Sequence, residues 1–244
     1  MSEHRAASGE QKSRCIFALA CCLLLACSLS DAYAPGKFYS QGHTKEKVIA
    51  LTFDDGPGVF TPKILEYLKA HHIRATFFIE GDQVSAYPQF VREVHDAGHE
   101  LGNHTFSHLN FHRVKNQPAV LFVKELESTE EALRKALSDP HFKTRVVRMP
   151  YGAYGKFDRD WLIPILQERG YALVHWSFGE DWLLQLTPQK MAADYIKNAG
   201  PGAIFLMHDG GRHREKTFEA LQIIVPALEQ KGYRFVAADD LLKE

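Results

Sequence analysis

Val48-Ile49-Ala50-Leu51-Thr52-Phe53-Asp54-Asp55-Gly56-Pro57 is the stretch on which the reading of this chain turns. Six apolar or β-branched residues make a short strand pattern, and two carboxylates and a Gly-Pro turn follow at once. Adjacent side chains on a strand point to opposite faces. Both carboxylates can therefore serve one site only if the strand breaks between or just after them, and Gly56-Pro57 supplies such a break. One carboxylate could then bind a metal while the other faces the reacting water. A solvated turn would use the same residues, so the segment alone leaves both readings open.

The pattern recurs along the chain. Strand candidates fall at 48–53, 75–79, 100–103, 146–149, 172–178, 203–207 and 234–237, each short, apolar and bounded by turn residues. Amphipathic helical segments lie between them. Thr61-Pro62 and Thr187-Pro188 each pair an N-cap residue with proline at the first helical position, and Gly98, Gly170 and Gly232 read as helix stops. This alternation predicts an α/β fold of about seven parallel strands with crossover helices, either an open doubly wound sheet or a closed, barrel-like arrangement. No Gly-x-Gly-x-x-Gly follows the first strand, so a dinucleotide site has no support. In both architectures ligands collect at the carboxyl ends of the strands. Those ends carry Asp54-Asp55, His104 with His108, Arg148 with Tyr151, Asp181-Trp182 and His208-Asp209.

The 244 residues, 45% hydrophobic and 24% charged, have an ordinary globular composition, enough for one sizeable core. With 29 Lys+Arg against 30 Asp+Glu the formal net charge is -1, which provides no global basic field for nucleic acid. All four cysteines, Cys15, Cys21, Cys22 and Cys27, lie in one apolar run preceded by Arg5, Lys12 and Arg14, the layout of a signal peptide over residues 1–34. The run is shorter than the ~20 residues a membrane-spanning helix needs. Two processing routes stay open. Leu24-Leu25-Ala26-Cys27 resembles a bacterial lipobox, which would leave Cys27 lipidated, and Ser30-Asp31-Ala32 offers a small-x-small cleavage site. Export is expected either way, to the periplasm, the cell envelope or the medium, with a membrane contact only through a lipid at Cys27 and no protein partner evident. Residues 35–46 read as a linker and 47–244 as one domain. That domain has no cysteine, which excludes Cys-ligated zinc, thiol catalysis and a disulfide framework.

His104-Thr105-Phe106-Ser107-His108 sets two imidazoles four residues apart, which on a helical turn would put both within reach of one ion. Two histidines and a carboxylate leave coordination positions open, the pattern of a catalytic site. Arg148 could orient a carboxylate in bidentate fashion and keep it ionised, although a structural salt bridge would use the same residue. His208 ends an apolar strand as a candidate acid, with Asp181 able to hold it protonated and oriented, against the alternative of a satisfied core histidine. The helical stretch 120–137 is expected to turn its Glu, Lys and Arg residues to solvent. His71, His72, His95, His99, His112, His141, His175 and His213 lack a motif partner and read as surface or core residues.

In order and identity these motifs resemble the NodB-homology polysaccharide deacetylases, carbohydrate esterase family four. Five segments carry the likeness: Thr-Phe-Asp-Asp-Gly-Pro (52–57), His-Thr-x-x-His (104–108), Arg-x-Pro-Tyr (148–151), Asp-Trp (181–182) and Leu-x-His (206–208). The resemblance implies a distorted (β/α) barrel, a divalent metal, zinc before cobalt, nickel or manganese, and hydrolysis of N-acetyl groups from a glycan. It assigns Asp55, His104 and His108 as metal ligands, Asp54 as general base and His208 as general acid. It also gives Asp181 the tuning of His208, Arg148 the orienting of Asp54, and the Tyr151 N–H a place in the oxyanion site. Trp182, Leu206 and Pro150 would shape the substrate pocket. One position departs from the pattern: Phe178 stands where the family often has a further Asp.

The expected substrate is an N-acetylglucosamine polymer such as peptidoglycan, a chitin-like oligomer or poly-N-acetylglucosamine. O-deacetylation of acetylated xylan is the alternative within the family. A silent glycan-binding protein is the alternative outside catalysis, and an iron oxygenase would use similar ligands.

Overall fold

The computed structural model describes residues 33–243. Its centre is β2 (Val48–Gly56), buried along almost its whole length because helices cover the sheet outside and side chains fill it inside. On one side β2 pairs with β7 (Ala203–His208). On the other it pairs with β8 (Arg234–Val236) at its start and with β3 (Thr76–Ile79) from Thr52 onward. Beyond β3 come β4 (Glu100–Asn103), β5 (Val146–Val147), β6 (Ala172–Val174) and β1 (Phe38–Tyr39), every pairing parallel. The order is β1-β6-β5-β4-β3-β2-β7, with β8 joined to β2 off this path.

The sheet curls without closing its ladder. Its two ends meet through single bridges, Phe178 to Phe205 in parallel and Gln41 to Ala203 in antiparallel sense. The arrangement thus lies between the two architectures that the strand pattern allowed. β6 stops at Val174, short of the expected 178, because the chain there leaves β5 and crosses to the edge of β7.

Around the sheet run α1 (Thr61–Ala70), α2 (Gly81–Ala86), α3 (Pro88–Asp96), α4 (Pro118–Leu137), α5 (Lys156–Arg169), α6 (Pro188–Lys197), α7 (Arg214–Gln230) and α8 (Ala238–Leu241). Helical spacing decides which faces they bury. On α7, Thr217, Ala220, Leu221, Ile224, Val225 and Leu228 form one apolar stripe against the sheet. Ile64 and Leu68 of α1 join the same outer core with Leu51 and Phe53. Truncating a leucine such as Leu68 to alanine there would cost about 2–5 kcal/mol. The barrel interior is a second cluster, with Ala50, Phe78, Val146, Val174 and Ile204.

Helix punctuation follows the residues. Thr187 caps α6 by accepting the Lys190 N–H at 3.2 Å, and Gly170, at φ 74°, ends α5 in the left-handed region that glycine reaches without strain. Thr61 differs from expectation: it lies inside α1, and its hydroxyl donates to Asp209 instead of capping. Three further expectations change. Phe38 and Tyr39, within the stretch expected as a linker, form a strand because β6 offers them a free edge. Tyr33, at the end of the expected leader, is buried and donates to Glu100. Glu125 and Glu130, expected in solvent, are buried, because α4 lies against the His104 loop and the Thr144 segment that leads into β5. The leader and the processing sites otherwise fall outside the described residues. Among the described residues no helix is long and apolar enough to cross a membrane.

Candidate active site

The carboxyl ends of β2, β4 and β7, with the loops after β5 and β6, meet at one cavity of about 400 Å³. At the end of β2 the register slips between Asp54 and Gly56. Asp55 is the residue inserted there and takes φ 67°, so both carboxylates reach the same side. The required break therefore lies at Asp55 itself, one residue before the Gly-Pro turn.

Asp54 faces one way into a cation. Arg148 is fully buried, and its Nη1 donates to Asp54 Oδ1 at 2.7 Å and to the Thr52 hydroxyl at 2.8 Å. Its Nε and Nη2 donate to the carbonyls of Val174 and His175, both at 2.9 Å, and its Cζ lies 4.0 Å from the centre of the Phe78 ring. With all three nitrogens hydrogen-bonded, the guanidinium can stay buried beside a carboxylate without an unpaired charge. The other Asp54 oxygen points to the cavity, 3.7 Å from His104 Nε2.

Asp55 faces the imidazoles. His104 Nε2 lies 3.4 Å and His108 Nε2 3.2 Å from its Oδ1, and the three ligand atoms fall within 4.8 Å of one another. His104 donates its Nδ1–H to the Arg148 carbonyl at 2.7 Å, which leaves the Nε2 lone pair for an ion. Asp55 Oδ1 is buried and has no hydrogen-bond partner. A buried carboxylate oxygen left over between two imidazole lone pairs fits a divalent cation. The two histidines are not on a helical turn. Thr105 and His108 take left-handed φ values of 68° and 51°, and this irregular loop brings both rings to Asp55.

On the far wall, His208 is held by Asp181. The carboxylate accepts His208 Nδ1–H at 2.6 Å and the His208 backbone N–H at 2.9 Å. Burial alone would lower the His208 pKa, but Asp181, with Asp55 and Asp54 beyond it, pushes it up to about 9. Asp181 also accepts from Thr217 at 2.8 Å and Arg214 at 3.3 Å, both on α7. Phe178, in place of the family's extra Asp, packs against Tyr195 and Phe205.

Of the expected pocket residues, Trp182 and Leu206 line the cavity with Tyr151, which is 61% exposed and whose ring lies 4.8 Å from the His108 ring. Pro150 does not line it. It is buried in the turn that turns Tyr151 to φ 58°, and Met149 and Trp176 take its place in the wall. Arg148 and Asp181 lie behind the cavity wall, each bonded to a residue that lines it. Trp176 was legible in principle, since it shares strand parity with the inward Ala172 and Val174. Arg214 carried no local signal, because only the packing of α7 brings it to the rim. Among the histidines without motif partners, His99 and His175 are buried, and the others are partly or fully exposed.

Comparison with known proteins shows the family of the chain. Residues 41–172 match the family model for polysaccharide deacetylases. The chain is 36% identical over 204 residues to a peptidoglycan-N-acetylglucosamine deacetylase of Bacillus cereus, covering 81% of this chain and 89% of that protein. It is 35% identical over 207 residues to the peptidoglycan-N-acetylmuramic acid deacetylase PdaA of Bacillus subtilis, covering 83% and 74%. The solved structure of the Bc1960 peptidoglycan N-acetylglucosamine deacetylase superposes with a TM-score of 0.74 at 31% identity, covering 85% of this chain and 92% of that one. With its five motifs gathered around one cavity on a curled parallel sheet, the chain belongs to the polysaccharide deacetylase family, the NodB-homology group of metal-dependent amide hydrolases.

Proposed function

We propose that this protein removes N-acetyl groups from an N-acetylglucosamine-containing polysaccharide, with peptidoglycan as the leading substrate, and releases acetate. The observation that carries the reading is the slip at Asp55, which turns two adjacent carboxylates to one cavity and gives them different neighbours. Asp55 has two imidazoles and an unpartnered oxygen, and Asp54 has a guanidinium and an oxygen left for substrate. Asp55, His104 and His108 would hold the metal, for which two nitrogens and one oxygen favour zinc. When bound, a divalent metal supplies Lewis acidity toward the acetyl carbonyl and lowers the pKa of water.

The remaining work belongs to the chain's own groups. Asp54, fixed by Arg148, takes a proton from the attacking water as its oxygen bonds to the carbonyl carbon. His208, held by Asp181, gives its ring proton to the nitrogen as the C–N bond breaks, and acetate and the free amine leave. The Tyr151 N–H would stabilise the oxyanion, a role in which loss of one donor costs about 3–4 kcal/mol. Trp182, Leu206, Met149 and Trp176 would enclose the acetyl methyl. The apolar leader and the cell-wall substrates in the relatives' names support action outside the cytoplasm, either free or anchored at a lipidated Cys27.

Acetate release from peptidoglycan, chitooligosaccharides and acetylated xylan, with and without zinc, tests this. Metal-dependent release from the first two that disappears in Asp54→Ala is the expected result. Release from xylan alone would move the activity to O-acetyl esters, and no release with zinc bound would leave a silent glycan-binding protein.

A further inference from the structure

The loop that carries His104 and His108 holds its backbone in an unusual state. Thr105 at φ 68° and His108 at φ 51° both occupy the left-handed region, where a β-branched residue is a clear outlier and persists only if its surroundings hold it. The side chain beneath this loop is Glu125 of α4. Its Oε2 accepts the N–H of Phe106 at 3.0 Å and of Ser107 at 2.7 Å. The Ser107 hydroxyl donates to the same carboxylate, 3.0 Å from Oε1 and 3.1 Å from Oε2. These partners are all neutral, and Glu125 is buried. Successive backbone N–H groups converging on one oxygen form a nest, and a buried polar group is costly unless such bonds satisfy it. From the same helix the Leu126 carbonyl accepts the Asn103 side-chain amide at 3.1 Å, and the Asn103 oxygen accepts the Thr105 N–H at 2.9 Å.

We propose that Glu125 is a positioning residue for the metal centre, its carboxylate bracing the loop so that the His104 and His108 Nε2 atoms converge on Asp55. It lies outside the cavity wall and is not one of the three metal-binding groups. The inference rests on the reading of Asp55, His104 and His108 as metal ligands.

The test is the zinc dissociation constant of the metal-free protein, measured by competition with a chromophoric chelator, with no substrate present. Glu125→Ala is expected to weaken zinc binding by about 10- to 100-fold, the range for groups that orient metal ligands. Glu125→Gln, which keeps an oxygen in the Oε2 position, should recover most of that loss. Glu127→Ala, an exposed neighbour on the same helix, should bind as the parent does. Unchanged affinity in Glu125→Ala overturns the proposal, even if its thermal stability falls, because that combination marks a purely structural residue. Should Glu125→Ala fail to fold, Glu125→Asp replaces it: one methylene too short for the loop, it should also lose affinity, and parental affinity would overturn the proposal. A parent protein that binds no zinc would overturn the ligand reading and this inference together, whereas zinc binding without acetate release would overturn only the proposed activity.

Discussion

The carboxyl and amino ends of the central strands both carry clusters of buried polar groups, but the two clusters are finished differently. At the amino ends of β3 and β4, the Glu100 carboxylate accepts from the Tyr33 hydroxyl at 2.7 and 2.9 Å, the Thr76 hydroxyl at 2.7 Å and the Asp239 N–H at 3.3 Å. Thr76 in turn accepts the Ala238 N–H at 2.8 Å, and Arg74 spans Asp239 and Asp240. At the carboxyl ends, Arg148 with Asp54 and Asp181 with His208 are equally well bonded, yet Asp55 Oδ1, Asp209 Oδ1 and Arg214 Nε are buried without a hydrogen-bond partner. A closed network offsets its desolvation within the fold. An open one leaves that cost to be offset by whatever binds. The amino end thus carries a closed structural network and the carboxyl end the groups of the proposed chemistry, the division expected of strand ends in barrel-like α/β folds.

Changes at the carboxyl end should remove activity and spare the fold. Asp54→Asn, which leaves an oxygen for Arg148, is expected to lower turnover by about 10²- to 10⁴-fold while zinc stays bound. Measured zinc content decides the roles of the two aspartates, since loss of the metal would exchange them. His208→Ala should keep its zinc and lose about a hundredfold in kcat, more than it changes KM. Near-normal steady-state kinetics in that variant would return His208 to the satisfied core histidine that its sequence position also allows.

Changes at the amino end should do the reverse. Burial and the neighbouring Asp239 raise the Glu100 carboxyl in the folded protein. A carboxyl raised in the folded state binds its proton more tightly there, so its contribution to stability is greatest at acid pH and declines as pH rises past the unfolded value near 4.3. Glu100→Gln should remove that decline, so thermal midpoints from pH 5 to 8 should fall less steeply in the variant than in the parent, with acetate release unaltered. Parallel curves would show that Glu100 is not the titrating group. Tyr33→Phe is the mildest case, with an expected loss of about 1 kcal/mol for its bonds to Glu100 and no change in zinc affinity. A large loss of activity there would break the division between the two ends.

How far each region could be read beforehand follows from the range of the interaction involved. The apolar runs at 48–53 and 203–207 identified the two central strands because burial on both faces leaves a continuous local pattern. By contrast, β1 is only two residues long, below any periodicity, and exists because β6 has an edge to offer. Glu125 and Glu130 looked like a solvated face because the helical pattern shows where apolar residues lie, and not which polar residues a neighbouring loop will cover.

By itself the sequence determined the class of fold, the strand ends that carry the candidate site residues, and the carboxylate and imidazole types found at those ends, since these depend on residue type and short-range order. Only the tertiary structure decided that Asp55 turns to the side of Asp54, that the His104 loop is braced from α4 instead of forming a helical turn, and that Met149, Trp176 and Arg214 wall the cavity where Pro150 was expected. Those outcomes depend on groups far apart in the chain being brought within hydrogen-bond or van der Waals distance, and no local pattern records which distant partner a residue will meet.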